Sequence, residues 1–146
     1  DLWSALSKLN HSLILHDPLR HRAGVGPAMS PLHTDLTAGR WHAMSLVEQL
    51  GNAGSEVSRA LKARGNSNAA RERSALERFL ELIDLTIADP RLEGRRRELC
   101  RVREMVCDYF VGENTFRSTP ESLDRYFLPY AMAARRRSSA GGGGQR

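Results

Sequence analysis

The sequence predicts an all-α fold, an antiparallel four-helix bundle preceded by an additional short N-terminal helix and an extended arm. Three observations carry that expectation. Apolar residues recur at steps of three and four over most of the 146 residues. The periodic segments are bounded by capping and stop signals at helical lengths. The connections between the later segments are short enough to make consecutive helices antiparallel neighbours.

Leu2, Leu6, Leu9 and Leu13 open the chain at helical spacing, and His16-Asp17-Pro18 ends the pattern. Residues 1–17 therefore read as a short amphipathic helix. Residues 18–44 hold Gly24, Gly26, Pro27, Pro31 and Gly39 with scattered histidines and no sustained period, which predicts an arm or linker.

Residues 45–137 read as the bundle. Its first helix starts at Ser45, where Ser45-Leu46-Val47-Glu48 matches a capping box, and stops at Arg64-Gly65-Asn66. Leu46, Leu50, Val57 and Leu61 form its inward stripe. Gly51 and Gly54 each cost up to about 1 kcal/mol of helix propensity, so their pairing predicts a close helix crossing. The second helix covers about 68–88, with Leu76, Phe79, Leu80, Ile83 and Ile87 on one face, and Asp89-Pro90 closes it. A third, about 91–111, carries Leu92, Leu99, Val102, Val106 and Tyr109. Ser118-Thr119-Pro120-Glu121 announces the fourth, with Leu123, Tyr126, Phe127 and Tyr130 on its apolar side and Pro129 expected to bend it. Residues 138–146 read as a flexible Gly-rich tail.

With 40% hydrophobic residues the chain is one domain long. Its apolar runs fall short of the roughly 18 to 20 residues that span a bilayer, so no membrane partner is expected. Cys100 and Cys107 lie seven apart along one helix, two turns on the same side and too distant to join. Reduced packing cysteines fit a soluble cytoplasmic protein.

The net charge of +5 is informative once located. Residues 1–39 are neutral, 40–117 carry about +2 and 118–146 about +3. Of 22 basic residues only Lys8 and Lys62 are lysine, and the arginine bias suits bidentate contacts to phosphate, though a GC-rich genome produces the same bias.

Catalytic signatures are sparse. The two cysteines lack a partner pair and all five histidines precede the bundle, so no zinc pattern exists; no metal or other cofactor is expected. Glu77, Glu81 and Asp84 share one helix face that could hold magnesium. The segment from Leu46 to Leu61 faintly resembles the first helix of all-α nucleoside-triphosphate pyrophosphohydrolases, which would imply such a metal site, but Gln49 and Asn52 stand where that family places carboxylates. The alternative is that Asp84 pairs with an arginine such as Arg59 or Arg101 inside the bundle, with Glu77 and Glu81 solvated or paired to Arg73 and Arg78.

The remaining constellation is cationic. Arg91, Arg95, Arg96 and Arg97 at the start of the third helix, with Arg135, Arg136 and Arg137, are the candidate nucleic-acid-binding residues, and Arg64 and Arg71 extend the surface. Arg91 and Arg95 are expected to share a helix face. An ordinary solvated face, offset by Glu93, Glu98 and Glu104, is the competing explanation.

Through Ser45-Leu-Val-Glu-Gln-Leu, Gly54-Ser-Glu-Val-Ser-Arg-Ala-Leu and Ala75-Leu-Glu-Arg-Phe-Leu-Glu-Leu, residues 40–109 resemble small bacterial four-helix-bundle proteins. These include proteins encoded in ribosomal RNA intervening sequences and the accessory variability-determinant proteins of diversity-generating retroelements. The resemblance implies a ring-forming homo-oligomer without catalysis of its own, binding a reverse transcriptase and its template RNA. The expected function is thus a non-enzymatic nucleic-acid-associated adaptor that holds RNA or DNA backbone. The alternatives are a protein-interaction subunit that docks through residues 1–39, and a magnesium-dependent pyrophosphohydrolase.

Overall fold

The computed structural model describes residues 38–141, and among them every regular element is helical, with no strand. The expectations for residues 1–17, for most of the arm and for residues 142–146 lie outside the described residues. The helices are α1 (Ala38–His42), α2 (Leu46–Gly65), α3 (Ala69–Ile87), α4 (Arg96–Val111) and α5 (Pro120–Gly141), with a 3₁₀ segment, Pro90–Arg95, leading into α4. None of the described helices is long and apolar enough to cross a membrane.

The start of α2 follows its sequence signal. The Ser45 side chain accepts from the Glu48 N–H while the Glu48 carboxylate accepts from the Ser45 N–H at 2.8 Å, a reciprocal capping box. These bonds, with Arg137 nearby, hold the Glu48 carboxyl below the ordinary carboxylate range. The other end differs in detail from the glycine stop expected. Gly65 closes the helix, but the left-handed residue is Ser67, at φ 52°. Ser67 N–H donates to Arg64 O and Asn68 N–H to Ala63 O, the paired bonds of a Schellman motif.

Helix α2 lies between two partners. Along α3 and the turn after it, numbers fall as those on α2 rise: Gln49 meets Asp89, Glu56 meets Arg78 and Arg64 meets Glu72. The α5 side behaves likewise, with Arg137 at Ser45, Phe127 at Gly54 and Asp124 at Ser58. Helix α4 packs on α3, where Arg96 reaches Ile87 O and Arg103 reaches Asp84. The buried core draws on Leu50, Val57, Leu76, Phe79, Ile83, Leu99, Val106, Leu123 and Phe127.

Three observations refine the sequence reading. Residues 38–42, inside the stretch read as arm, form a helix whose Trp41 is 1% exposed and donates to Thr86 Oγ1 at 3.0 Å. The third helix begins at Arg96, five residues later than the spacing implied, because Asp89 caps the Arg91 N–H and Leu92 (φ −105°, ψ 17°) leaves the helical backbone. The fourth continues to Gly141, through Pro129 and past the cluster at Arg135, Arg136 and Arg137.

Candidate nucleic-acid interface

Around the first turn of α2, buried polar groups build the floor on which the candidate arginines sit. The Gln49 side-chain amide is fully buried and donates to Trp41 O at 3.1 Å, Met44 O at 3.3 Å and Asp89 Oδ2 at 3.0 Å. One amide group thereby ties α1 and its turn to the end of α3. His42 Nε2 lies 2.8 Å from Leu85 O, closing the same junction.

Asp89 is also fully buried, and Arg91 engages it through Nε and Nη2 at 3.1 and 2.7 Å. That guanidinium, with the Gln49 amide, holds the Asp89 carboxyl well below the usual carboxylate range against the cost of burial. Arg91 Nη2 donates in addition to Met44 O at 2.7 Å. One residue further on, Arg137 Nη1 donates to Ser45 Oγ at 2.9 Å. Arg91 and Arg137, 46 positions apart in sequence, are therefore anchored on adjacent residues at the start of α2.

The other candidates divide by their partners. Arg95 pairs with Glu98 at 3.1 Å, and Arg96 donates to Ile87 O and lies 3.9 Å from Glu93. Arg97, Arg135 and Arg136 are exposed and form no ion pair among the described residues. Arg91 and Arg95 do not share a helical face as expected, since the intervening segment is a 3₁₀ turn with three residues per turn. Arg64, read as part of the cationic surface, serves the fold. It donates to Tyr109 O and Phe110 O at the end of α4, pairs with Glu72 at 2.7 Å and stacks 4.8 Å from the Phe110 ring.

Asp84 accepts from Arg103 Nε at 2.8 Å, so an interior arginine partner exists, but it is neither Arg59 nor Arg101. Burial pushes the Asp84 carboxyl up, and Arg103 pulls in the opposite direction. Glu77, Glu81 and Asp84 do not gather as a metal-holding group, and no three His, Cys, Asp or Glu side chains among the described residues do so. Both cysteines are free; burial pushes the Cys107 thiol up to about 11, leaving a protonated, poorly nucleophilic group at neutral pH.

Sequence reasoning missed Trp41, Gln49 and Asp89 as the support beneath the arginines. Asp89 alone carried a local signal, since Asp-Pro before a helix is a capping pattern. No protein family model, curated protein or solved structure matches this chain.

Proposed function

We propose that the chain is a non-enzymatic adaptor that holds the phosphate backbone of RNA or DNA on the arginine surface at the start of α2. The observation that carries this reading is the meeting of the two candidate groups there, with Arg91 on Met44 O and Arg137 on the adjacent Ser45. Arg97, Arg135 and Arg136 are exposed and form no ion pair among the described residues, which leaves their guanidiniums available to phosphate oxygens. The reversed numbering along the α2–α3, α2–α5 and α3–α4 contacts supports an antiparallel four-helix bundle as the scaffold. The wider form of the proposal, an accessory subunit of a reverse transcriptase that works as a homo-oligomer, rests on the sequence resemblance over residues 40–109.

The test is a binding titration of the intact chain with RNA and with DNA across a salt series. Changing Arg135, Arg136 and Arg137 to alanine is expected to lower affinity about equally for all sequences and to flatten the slope of log K against log salt by up to about 2 to 3. An unchanged slope removes this surface from the model. Absence of any nucleic-acid binding favours the protein-interaction subunit, for which Leu128 and Met132, 56% and 46% exposed and one turn apart on α5, are the structural feature.

A further inference from the structure

Another cationic site lies toward the opposite end of α2. Between α2 and α3 runs a groove of about 470 Å³, within the range of small-molecule sites. Arg59, Lys62, Arg71 and Arg78 line it beside Asn66 and Ser74, and among the described residues no carboxylate is in its walls. None of the arginines anchored at the start of α2 reaches it, so it stands apart from the surface proposed above.

The groove is ordered from beneath by one acid. Glu56 is buried, and its two carboxylate oxygens serve two different guanidiniums: Oε1 accepts from Arg59 at 2.5 Å, and Oε2 from Arg78 Nε at 3.1 Å across the helix seam. Arg78 Nη1 donates also to Ser74 Oγ at 3.0 Å. A single fixed carboxylate therefore sets the positions of one guanidinium from each wall. Lys62 and Arg71 are exposed and have no ion pair among the described residues.

Four cations against one buried carboxylate leave three positive charges around this volume. A peptide carboxylate supplies a single negative charge, whereas an oligophosphate supplies several in a compact body with acceptor oxygens on every side, which suits forked guanidinium donors. We propose that this groove is a binding site for an oligophosphate group, either free or carried by a nucleoside triphosphate.

The experiment is calorimetric titration of the intact chain, at fixed salt, with inorganic triphosphate in one arm and ATP in the other. Equal affinity assigns recognition to the oligophosphate group alone, and tighter ATP binding assigns the groove to a nucleotide; either result supports the site. The double variant Lys62→Gln/Arg71→Gln removes only exposed charges that have no ion pair among the described residues, and a loss of affinity of tenfold or more is expected, since one charge-assisted contact is worth about that factor.

Glu56→Gln separates a built groove from a diffuse basic surface. It raises the net charge by one, so a diffuse surface would bind triphosphate more tightly, while a groove whose guanidiniums Glu56 orients binds it several-fold more weakly. Thermal unfolding of the variant is followed in parallel, and should Glu56→Gln fail to fold, Ser74→Ala takes its place: it leaves the net charge unchanged and releases Arg78 Nη1, so a built groove binds more weakly while a diffuse surface binds equally well. Changing Arg135, Arg136 and Arg137 to alanine leaves triphosphate binding unchanged, so failure of the nucleic-acid surface and failure of the groove are read independently. The proposal is overturned by absence of triphosphate binding, by undiminished binding in Lys62→Gln/Arg71→Gln, by tighter binding in Glu56→Gln, or by an acidic peptide that outcompetes triphosphate.

Discussion

The two flanks of α2 differ at their centres: toward α5 the polar contacts, Ser45–Arg137 and Ser58–Asp124, stand on either side of a glycine pair, whereas toward α3 they run along the whole seam. Toward α5 the seam is made by what is missing: Gly51 and Gly54 let a neighbouring backbone and an aromatic ring come close, and a Cβ at Gly51 would meet Tyr130 O at 3.2 Å. Toward α3 the seam is polar, carrying Gln49–Asp89, Glu56–Arg78 and Arg64–Glu72 along its length. The apolar flank is specified by volume and fails when volume is added. The polar flank is specified by pairing and fails when a partner is removed, because the groups left behind lose bonds that burial made necessary.

Adding volume gives the largest expected effect. A Cβ at Gly54 would lie 2.6 Å from Phe127 Cβ, the near end of a buried ring that is itself edge-on to Phe79, so the side chain cannot swing away without moving α5. Gly54→Val is expected to destabilise by about 3 kcal/mol despite removing a glycine from mid-helix, because overpacking outweighs the gain in propensity of less than about 1 kcal/mol. Urea unfolding measures it. A loss below about 1 kcal/mol would mean that α5 sits loosely on α2 and that the two flanks do not differ in kind.

Removing a partner tests the other flank. Asp89→Ala deletes the acceptor of Gln49 and Arg91 and the cap of the 3₁₀ turn, with an expected loss of about 2 kcal/mol near neutral pH. The pH dependence has a definite sign. The folded-state carboxyl titrates below its unfolded value of about 3.9, so its contribution is full above that value and fades as pH falls toward the folded-state one. The stability gap between wild type and Asp89→Ala should therefore narrow on acidification below about pH 4, read by thermal unfolding across a pH series. A gap independent of pH would mean that Asp89 acts through packing alone.

The difference between the flanks also explains which features the sequence made legible. Gly51 and Gly54 announce a close crossing by themselves, since an interior glycine pair has a local cost and a steric rationale. The capping box at Ser45 and Glu48 is equally local. Gln49 gives no such sign, because its partner Asp89 lies 40 positions away and a lone amide on an apolar stripe looks like a surface residue that strayed. Trp41 gives no sign either, because a five-residue helix is too short to display a period. Arg103 was legible in principle: it stands four residues after buried Leu99 and four before buried Cys107, on the inward face, whereas Arg101 points away. At the candidate site, the arginines were visible in the sequence but their support was not, and Arg95 and Arg96 proved to be engaged by Glu98, Glu93 and Ile87 O.

The smallest expected effect has the opposite sign and lies in the turn that joins α2 to its polar flank. Ser67 sits at the left-handed position of the Schellman motif, where a side chain costs about 1 kcal/mol relative to glycine. Ser67→Gly is expected to stabilise by somewhat less than that, since glycine also loosens the unfolded chain. Gly65, which the sequence offered as the stop, cannot serve, because it lies two residues before the left-handed position and inside the helix. The turn is separated from Asp89 by nearly the full length of α2, about 30 Å, so the gain from Ser67→Gly and the loss from Asp89→Ala should add in the double variant to within about 0.5 kcal/mol. A larger coupling would show that the polar flank behaves as one continuous network from the turn to the arginine-bearing end, and that a change at either end is felt at the other.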